Sequence, residues 1–101
     1  MIPFKTIDDL ITKHTALEKE LSSGSIDKKN FADKSKEYSD LNEIIEDARK
    51  YLSFKNEKLE LQKILDDKSS DEELKKMAEI ELSDLVSENE RNEKKLKLFL
   101  L

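Results

Sequence analysis

The only histidine in the chain, His14, is the first residue that could carry chemistry, as a proton donor and acceptor or as a metal ligand. The chain has no second histidine and no cysteine to complete a metal site around it. His14 also shares a predicted helical face with apolar residues, where histidines are more often packed and hydrogen-bonded than catalytic. We therefore predict a structural role for His14.

Neighbouring carboxylates are the next candidates, because a pair such as Asp8 and Asp9 could supply an acid and a base. Such pairs are abundant, but most of them alternate with lysines at helical spacing. Glu46, for example, has Lys50 four residues further on. Pairs at this spacing are typical of a helix surface that faces solvent.

Basic residues form two short clusters, Lys28–Lys29 and Lys94–Lys95 with Lys97, which suit helix ends better than a phosphate site. A loop that cradles phosphate needs several glycines, and Gly24 is the only glycine present. We expect no catalytic, cofactor-binding or metal-ligating residue, and hence no enzyme within these residues.

The composition favours helices and disfavours several other classes of protein. Of 101 residues, 43% are charged and 36% are hydrophobic, with one glycine, one proline and no cysteine. Strands and tight turns need more glycine and more β-branched residues than this. A net charge of −5 disfavours direct binding of nucleic acid, and no apolar run is long enough to span a bilayer. The absence of cysteine suits a reducing compartment, so we expect a cytoplasmic chain.

Breaks in the helical pattern predict three helices, over about residues 6–22, 27–68 and 70–97. Gly24 ends the first helix, because glycine adopts left-handed backbone geometry without steric cost. Nothing forces a stop in the second helix, which would be about 60 Å long, although a break near Ser53 is an alternative. Capping boxes are predicted to begin the first helix at Thr6 and the third at Ser70.

Apolar residues recur every seven positions along the predicted middle helix and would form one stripe. They are Phe31, Tyr38, Ile45, Leu52 and Leu59. Neither flanking helix covers this stripe alone, so helix one should pack on its first half and helix three should fold back along its second half. The predicted fold class is all-α, an elongated antiparallel three-helix, coiled-coil-like arrangement with a long central helix. If the stripe met another copy instead, the chain would be a self-associating coiled-coil scaffold or adaptor.

Several polar residues occupy positions in the predicted helix interface where leucine would be more stabilising. They are Lys34, Lys55, Gln62, Asn89 and Asn92. Polar residues in such an interface specify register or mark a partner surface, at a cost in stability. The other interpretation is that these positions face water.

Three segments of the chain share their order and spacing with a known family. They are Ser35–Leu41, Glu72–Leu82 and the apolar run Leu96–Leu101. In these segments the chain resembles the N-terminal domain of bacterial class I peptide chain release factors, of the release factor one type. Lys34, where the family tends to be apolar, and Glu72, where it often has proline, depart from its pattern at positions that suit a surface. The apolar end also leads us to expect residues 1–101 to be the first domain of a longer protein.

The resemblance implies a helical accessory domain with no reaction of its own. In this family, a Gly-Gly-Gln loop that promotes peptidyl-tRNA hydrolysis and a tripeptide that reads stop codons both lie in later domains. The resemblance implies a full-length factor that ends translation at UAA and UAG codons, with this chain as a monomeric, non-catalytic part of it. The implied partners are the stalk-base region of the ribosome and the release-factor GTPase.

Overall fold

Four α-helices make up nearly all of the structure, and there is no β-strand. The computed structural model describes residues 1–101, with α1 over Phe4–Ser23, α2 over Lys28–Asn42, α3 over Ile45–Asp66 and α4 over Glu72–Leu100. The all-α prediction is confirmed. The elongated shape is confirmed too, because the molecule measures 61 × 27 × 20 Å. No helix combines the length and the apolar content that crossing a bilayer would require.

Short side chains and one glycine fix three of the helix ends. Gly24 closes α1 with a φ of 71°, as predicted. The carboxylate of Asp27 accepts a hydrogen bond of 2.9 Å from the backbone N–H of Asn30 and so caps α2. The carboxylate of Asp71 does the same for α4, accepting from the N–H of Leu74 at 2.7 Å.

Both predicted capping boxes are wrong. The first helix begins directly after Pro3, whose carbonyl accepts from the backbone N–H groups of Thr6 and Ile7, so Thr6 already lies in the first turn. The last helix is capped by Asp71 instead of Ser70. This helix also continues to Leu100, three residues beyond the predicted end.

The predicted single helix over residues 27–68 is also wrong, because the chain breaks at Ile44, where φ is −115° and ψ is 0°. The break sets Asn42 at the end of α2, where its side chain meets His14 of α1. It also leaves Ile44 and Ile45 both 4% exposed. Tertiary packing thus overrides a local sequence that contains no glycine or proline.

The break changes which members of the seven-residue repeat are buried. Ile45 is buried, and Tyr38 and Leu52 are half-buried, as the repeat predicts. Phe31 and Leu59, at its two ends, are 50% and 51% exposed, so the predicted stripe is wrong there. Residues outside helical geometry between α2 and α3 shift the helical phase, so one stripe does not continue through both helices.

The four helices form two antiparallel hairpins, each crossed by two ion pairs. These pairs are Lys13–Glu37 and Lys34–Glu20 between α1 and α2, and Lys50–Glu88 and Lys95–Asp47 between α3 and α4. The hairpins share one hydrophobic core, which we call the proximal core. Its members are Ile2, Ile7, Leu17, Leu41, Ile44, Ala48, Tyr51 and Leu96.

Beyond the proximal core, α3 and α4 continue without support from the other two helices. We call residues 53–88, from the second half of α3 to the first half of α4, the distal hairpin. Ser53, the alternative break, lies in continuous helix at its start. Ala78 is the only buried residue in the distal hairpin, so most of its surface is open to contact.

Candidate interaction surface

His14 lies inside the proximal half of the molecule, where its side chain joins α1 to α2. The residue is 3% exposed, and its Nε2 lies 3.0 Å from Oδ1 of Asn42. Because an amide oxygen only accepts, this contact is a hydrogen bond in the tautomer that carries the proton on Nε2. The imidazole stacks on the ring of Tyr38, with centroids 4.9 Å apart. Nδ1 of His14 is buried without a hydrogen-bond partner.

The charged pairs and clusters noted in the sequence lie on the surface. Lys95 pairs with Asp47 at 3.0 Å, and Lys97 lies 3.5 Å from Glu93, so two members of this lysine cluster face carboxylates of the same chain. Lys28 and Lys29 are exposed at the start of α2 instead of at a helix end that favours positive charge. No group of three histidine, cysteine or acidic side chains is arranged to hold a metal ion.

A groove between α3 and α4, which we call the acidic groove, is the main concave surface of the distal hairpin. It encloses about 510 Å³. Its residues are the acids Glu57, Glu60, Glu81, Asp84 and Glu88 and the apolar Leu61, Ile64 and Leu85. No lysine or arginine lines it, so the groove presents negative charge around an apolar centre.

Helical spacing explains why these residues meet. On α3, Glu57, Leu61 and Ile64 follow one another at intervals of four and three residues, and α4 repeats the pattern with acids beside Leu85. Residues 69–101 contain nine acidic and six basic residues, so an acidic excess on α4 is visible in the sequence. That acids of α3 join this surface could not be predicted, because it depends on which residues of α3 and α4 face each other.

One ion pair closes the inner end of the acidic groove. Nζ of Lys50 lies 2.8 Å from Oε1 of Glu88. The hydrogen bond from Lys50, followed by its charge, lowers the pKa of Glu88 below the ordinary value of 4.5. The same contact raises the pKa of Lys50 above 10.5. Both groups are therefore fully charged at neutral pH.

Beside this ion pair the acidic groove narrows into a smaller pocket of about 130 Å³, which we call the notch. Its residues are Lys50, Phe54, Glu57, Leu85, Glu88, Asn89 and Asn92. Asn92 is 8% exposed. Oδ1 of Asn89 is buried and has no hydrogen-bond partner.

The polar residues of the predicted interface thus fall into different groups. Lys55 and Gln62 face water, in agreement with one of the two interpretations. Lys34 pairs with Glu20 across the α1–α2 contact. Asn89 and Asn92 are turned into the contact between α3 and α4, so the water-facing interpretation is wrong for these two.

The sequence analysis did not predict that the first residues of the chain contact α3 and α4. The backbone N–H of Ile2 donates to Oη of Tyr51 at 3.0 Å, and the Met1 amino group lies 3.2 Å from Glu93. The hydrogen bond from this amino group is the main cause that lowers the pKa of Glu93. Phe4 meets Tyr51 edge to face, with centroids 6.5 Å apart. A single apolar residue at position 2 gave no signal that could have predicted this anchor.

Comparison with known proteins finds one family and several relatives. The PCRF domain family matches residues 10–101. Peptide chain release factor 1 of Pelagibacter ubique is 70% identical over 101 residues, which is all of this chain and 28% of that protein. The corresponding proteins of Orientia tsutsugamushi (strain Boryong) and Agathobacter rectalis are 37% and 38% identical over 94% and 97% of this chain, and over 26% and 28% of their own length. The chain therefore spans little more than a quarter of these relatives. No solved structure matches it significantly.

Proposed function

Because this chain belongs to the PCRF domain family, we propose that it serves as the N-terminal accessory domain of a release factor in translation termination at UAA and UAG codons. The observation that carries the proposal is the 70% identity to a peptide chain release factor 1 along the whole chain. Residues 1–101 would act as one helical unit in the cytoplasm. Hydrolysis of peptidyl-tRNA would belong to the remainder of the factor, since no candidate catalytic group occurs in this part.

The acidic groove supports a docking role for the distal hairpin. Five carboxylates around an apolar centre attract a basic protein surface and repel the phosphates of RNA. The distal hairpin extends away from the proximal core, so a partner can reach both of its helices. By resemblance to the family, the partners proposed are proteins of the ribosomal stalk-base region and the release-factor GTPase.

A transplantation experiment tests this function. The chain is joined to the remaining domains of the Pelagibacter ubique factor in place of that factor's own first domain, and release from ribosomes stalled at UAA is measured. We expect release at a rate close to that of the intact factor, and GTPase-stimulated recycling that the factor lacking this domain does not support. The isolated chain should release no peptide. A chimera no better than the domain-deleted factor would refute the proposal.

The alternative function, a self-associating scaffold, is not favoured. Ile7, Ala48 and Leu96 are each 0% exposed within a single chain, so the apolar residues of the proximal core need no second copy. We propose a monomer, which sedimentation at micromolar concentration tests directly. The exposed Leu98 and Leu101 are the residues through which weak association would occur. A tight dimer that persists when these two residues are changed to serine would support the scaffold instead.

A further inference from the structure

We propose that the notch binds the guanidinium group of an arginine side chain that is presented by a basic protein partner. This inference rests on the proposed function, because it names the chemistry by which the acidic groove would recognise its partner. The notch lies at the inner end of the groove, where the distal hairpin meets the proximal core.

The notch contains one buried amide oxygen that has no hydrogen-bond donor, Oδ1 of Asn89. Asn92, which also lines the notch, is 92% buried, since 8% of its surface is exposed. Unpaired polar groups at a helix contact lower stability, and leucine would pack better at both positions. A ligand that donates several hydrogen bonds would satisfy these groups.

The notch also carries an uncompensated negative charge. Glu57 and Glu88 supply two carboxylates, and the Lys50 ammonium neutralises one of them at 2.8 Å. The Glu57 carboxylate receives only a hydrogen bond from the Ser53 hydroxyl, at 3.3 Å. One negative charge of the notch is therefore left without a cation of its own, and the acidic groove adds further negative charge beside it.

A guanidinium fits the notch better than other cations do. A guanidinium is planar, carries five N–H donors and is more weakly hydrated than an ammonium, so it loses less on entering a partly buried site. The notch, at about 130 Å³, is roughly ten times the volume that one water requires. Phe54 forms one wall, and its ring already attracts a cation, since Nζ of Lys58 lies 5.8 Å from its centroid. A metal ion is a poorer candidate because the carboxylates are not grouped around one point.

Titration of the complete chain with short peptides tests the proposal. The probe is a blocked hexapeptide of alternating glycine and arginine, and the matched peptide carries lysine in place of arginine, with the same charge. In ¹⁵N-resolved NMR spectra we expect the arginine peptide to shift the side-chain amide signals of Asn89 and Asn92. We also expect it to bind several-fold more tightly than the lysine peptide.

Two variants and a control locate the site. Glu57→Gln should weaken binding of the arginine peptide about tenfold, because a charge-assisted hydrogen bond is lost. Asn92→Leu should weaken it too and should fold well, because leucine suits the helix contact. Glu60→Gln removes the same charge from the acidic groove outside the notch and should weaken binding only about twofold. Dispersed amide spectra check that each variant is folded.

Equal binding of the two peptides, with equal losses for Glu57→Gln and Glu60→Gln, would overturn the proposal and leave an unspecific acidic surface. Unmoved asparagine signals would also overturn it. The peptide titration does not depend on the termination assay. A chimeric factor that is active while its first domain ignores arginine would therefore refute the notch alone. An inactive chimera whose domain still prefers arginine would refute the proposed function alone.

Discussion

The proximal core and the distal hairpin are built from the same helices, α3 and α4, yet they bury very different amounts of surface. In the proximal core, α1 packs against α3, and three side chains are completely buried. In the distal hairpin only Ala78 is buried, and several large apolar residues are 43–63% exposed. These residues are Leu59, Leu74, Met77 and Ile80.

The stability of the fold and the proposed docking surface therefore lie mainly in different parts of the chain. Two packed helices cover only part of each other's apolar surface. The distal hairpin therefore depends for its stability on α1, which packs against α3 in the proximal core. The same openness leaves the acidic groove and the notch accessible to a partner. Regions that bind are commonly drawn from the less stable part of a fold, and the docking surface proposed above lies in the less stable part of this molecule.

The largest effect should come from a cavity in the proximal core. Leu96→Ala removes a side chain that is 0% exposed and should lower the free energy of unfolding by about 2–5 kcal/mol. Leu82→Ala, in the distal hairpin, should cost about half as much or less, because Leu82 is already half-buried. Urea unfolding followed by circular dichroism measures both values.

Leu98→Ala is the matched control, since Leu98 is 70% exposed and its loss should change stability by less than about 0.5 kcal/mol. If Leu82→Ala proved as costly as Leu96→Ala, the distinction between a stable proximal core and a weakly packed distal hairpin would fail.

The second effect concerns the hydrogen bond that ties α2 to α1. Asn42→Ala removes the side chain that meets Nε2 of the buried His14. Because Asn42 is itself exposed, water can replace part of this contact, so the loss should be about 1 kcal/mol and the melting temperature should fall. Asn56→Ala, at an exposed position of the distal hairpin, is the control and should change little. A melting temperature unchanged by Asn42→Ala would mean that this hydrogen bond does not hold the break at Ile44.

The helical class, the long shape and the stop at Gly24 could all be predicted from the sequence, because they depend on composition and local backbone preference. The break at Ile44 could not. Residues 43–45 contain no glycine or proline, and the chain leaves helical geometry at a point where two isoleucines become buried and Asn42 meets His14. A sequence pattern carries local preference and does not contain the position of a partner helix.

Only the acidic residues that α4 contributes to the candidate site are visible as an acidic segment of the sequence. Residues 69–101 contain nine acidic and six basic residues, and acids from this segment form one side of the acidic groove. Glu57 and Glu60 on α3 complete the groove, and nothing in their local sequence distinguishes them from other exposed acids. Asn92 was noticed as a polar residue in an apolar pattern, but whether it is buried depends on how α3 and α4 pair.

The third effect lies at the far end of the distal hairpin. Asp71→Ala removes the carboxylate that accepts from the N–H of Leu74 and should cost about 1 kcal/mol. Ser70→Ala should cost almost nothing, because Ser70 does not cap the helix. Thermal unfolding of the two variants distinguishes these caps. Equal losses would mean that Asp71 and Ser70 both contribute to capping α4.

The smallest effect, the dependence of stability on pH, compares one carboxylate from each region. Glu93 beside the proximal core has its pKa lowered mainly by the hydrogen bond from the Met1 amino group, and Glu88 in the distal hairpin by the one from Lys50. A carboxylate whose pKa is lowered in the folded chain makes its full contribution to stability when the pH is above the ordinary pKa of 4.5. This contribution disappears as the pH falls through the lowered pKa of the folded chain.

Both contacts are solvent-exposed, so each contribution is small and is weakened by salt. Acetylation of the amino terminus should remove the pH-dependent contribution of Glu93 to stability. Lys50→Met should remove the corresponding contribution of Glu88. Melting temperatures between neutral pH and about pH 2 measure the change. Each modified chain should lose less stability on acidification than the parent, and acetylation should matter more, because the Met1 anchor also positions Ile2 in the proximal core. A parent and a modified chain with identical pH profiles would show that the ion pair in question adds nothing to folding.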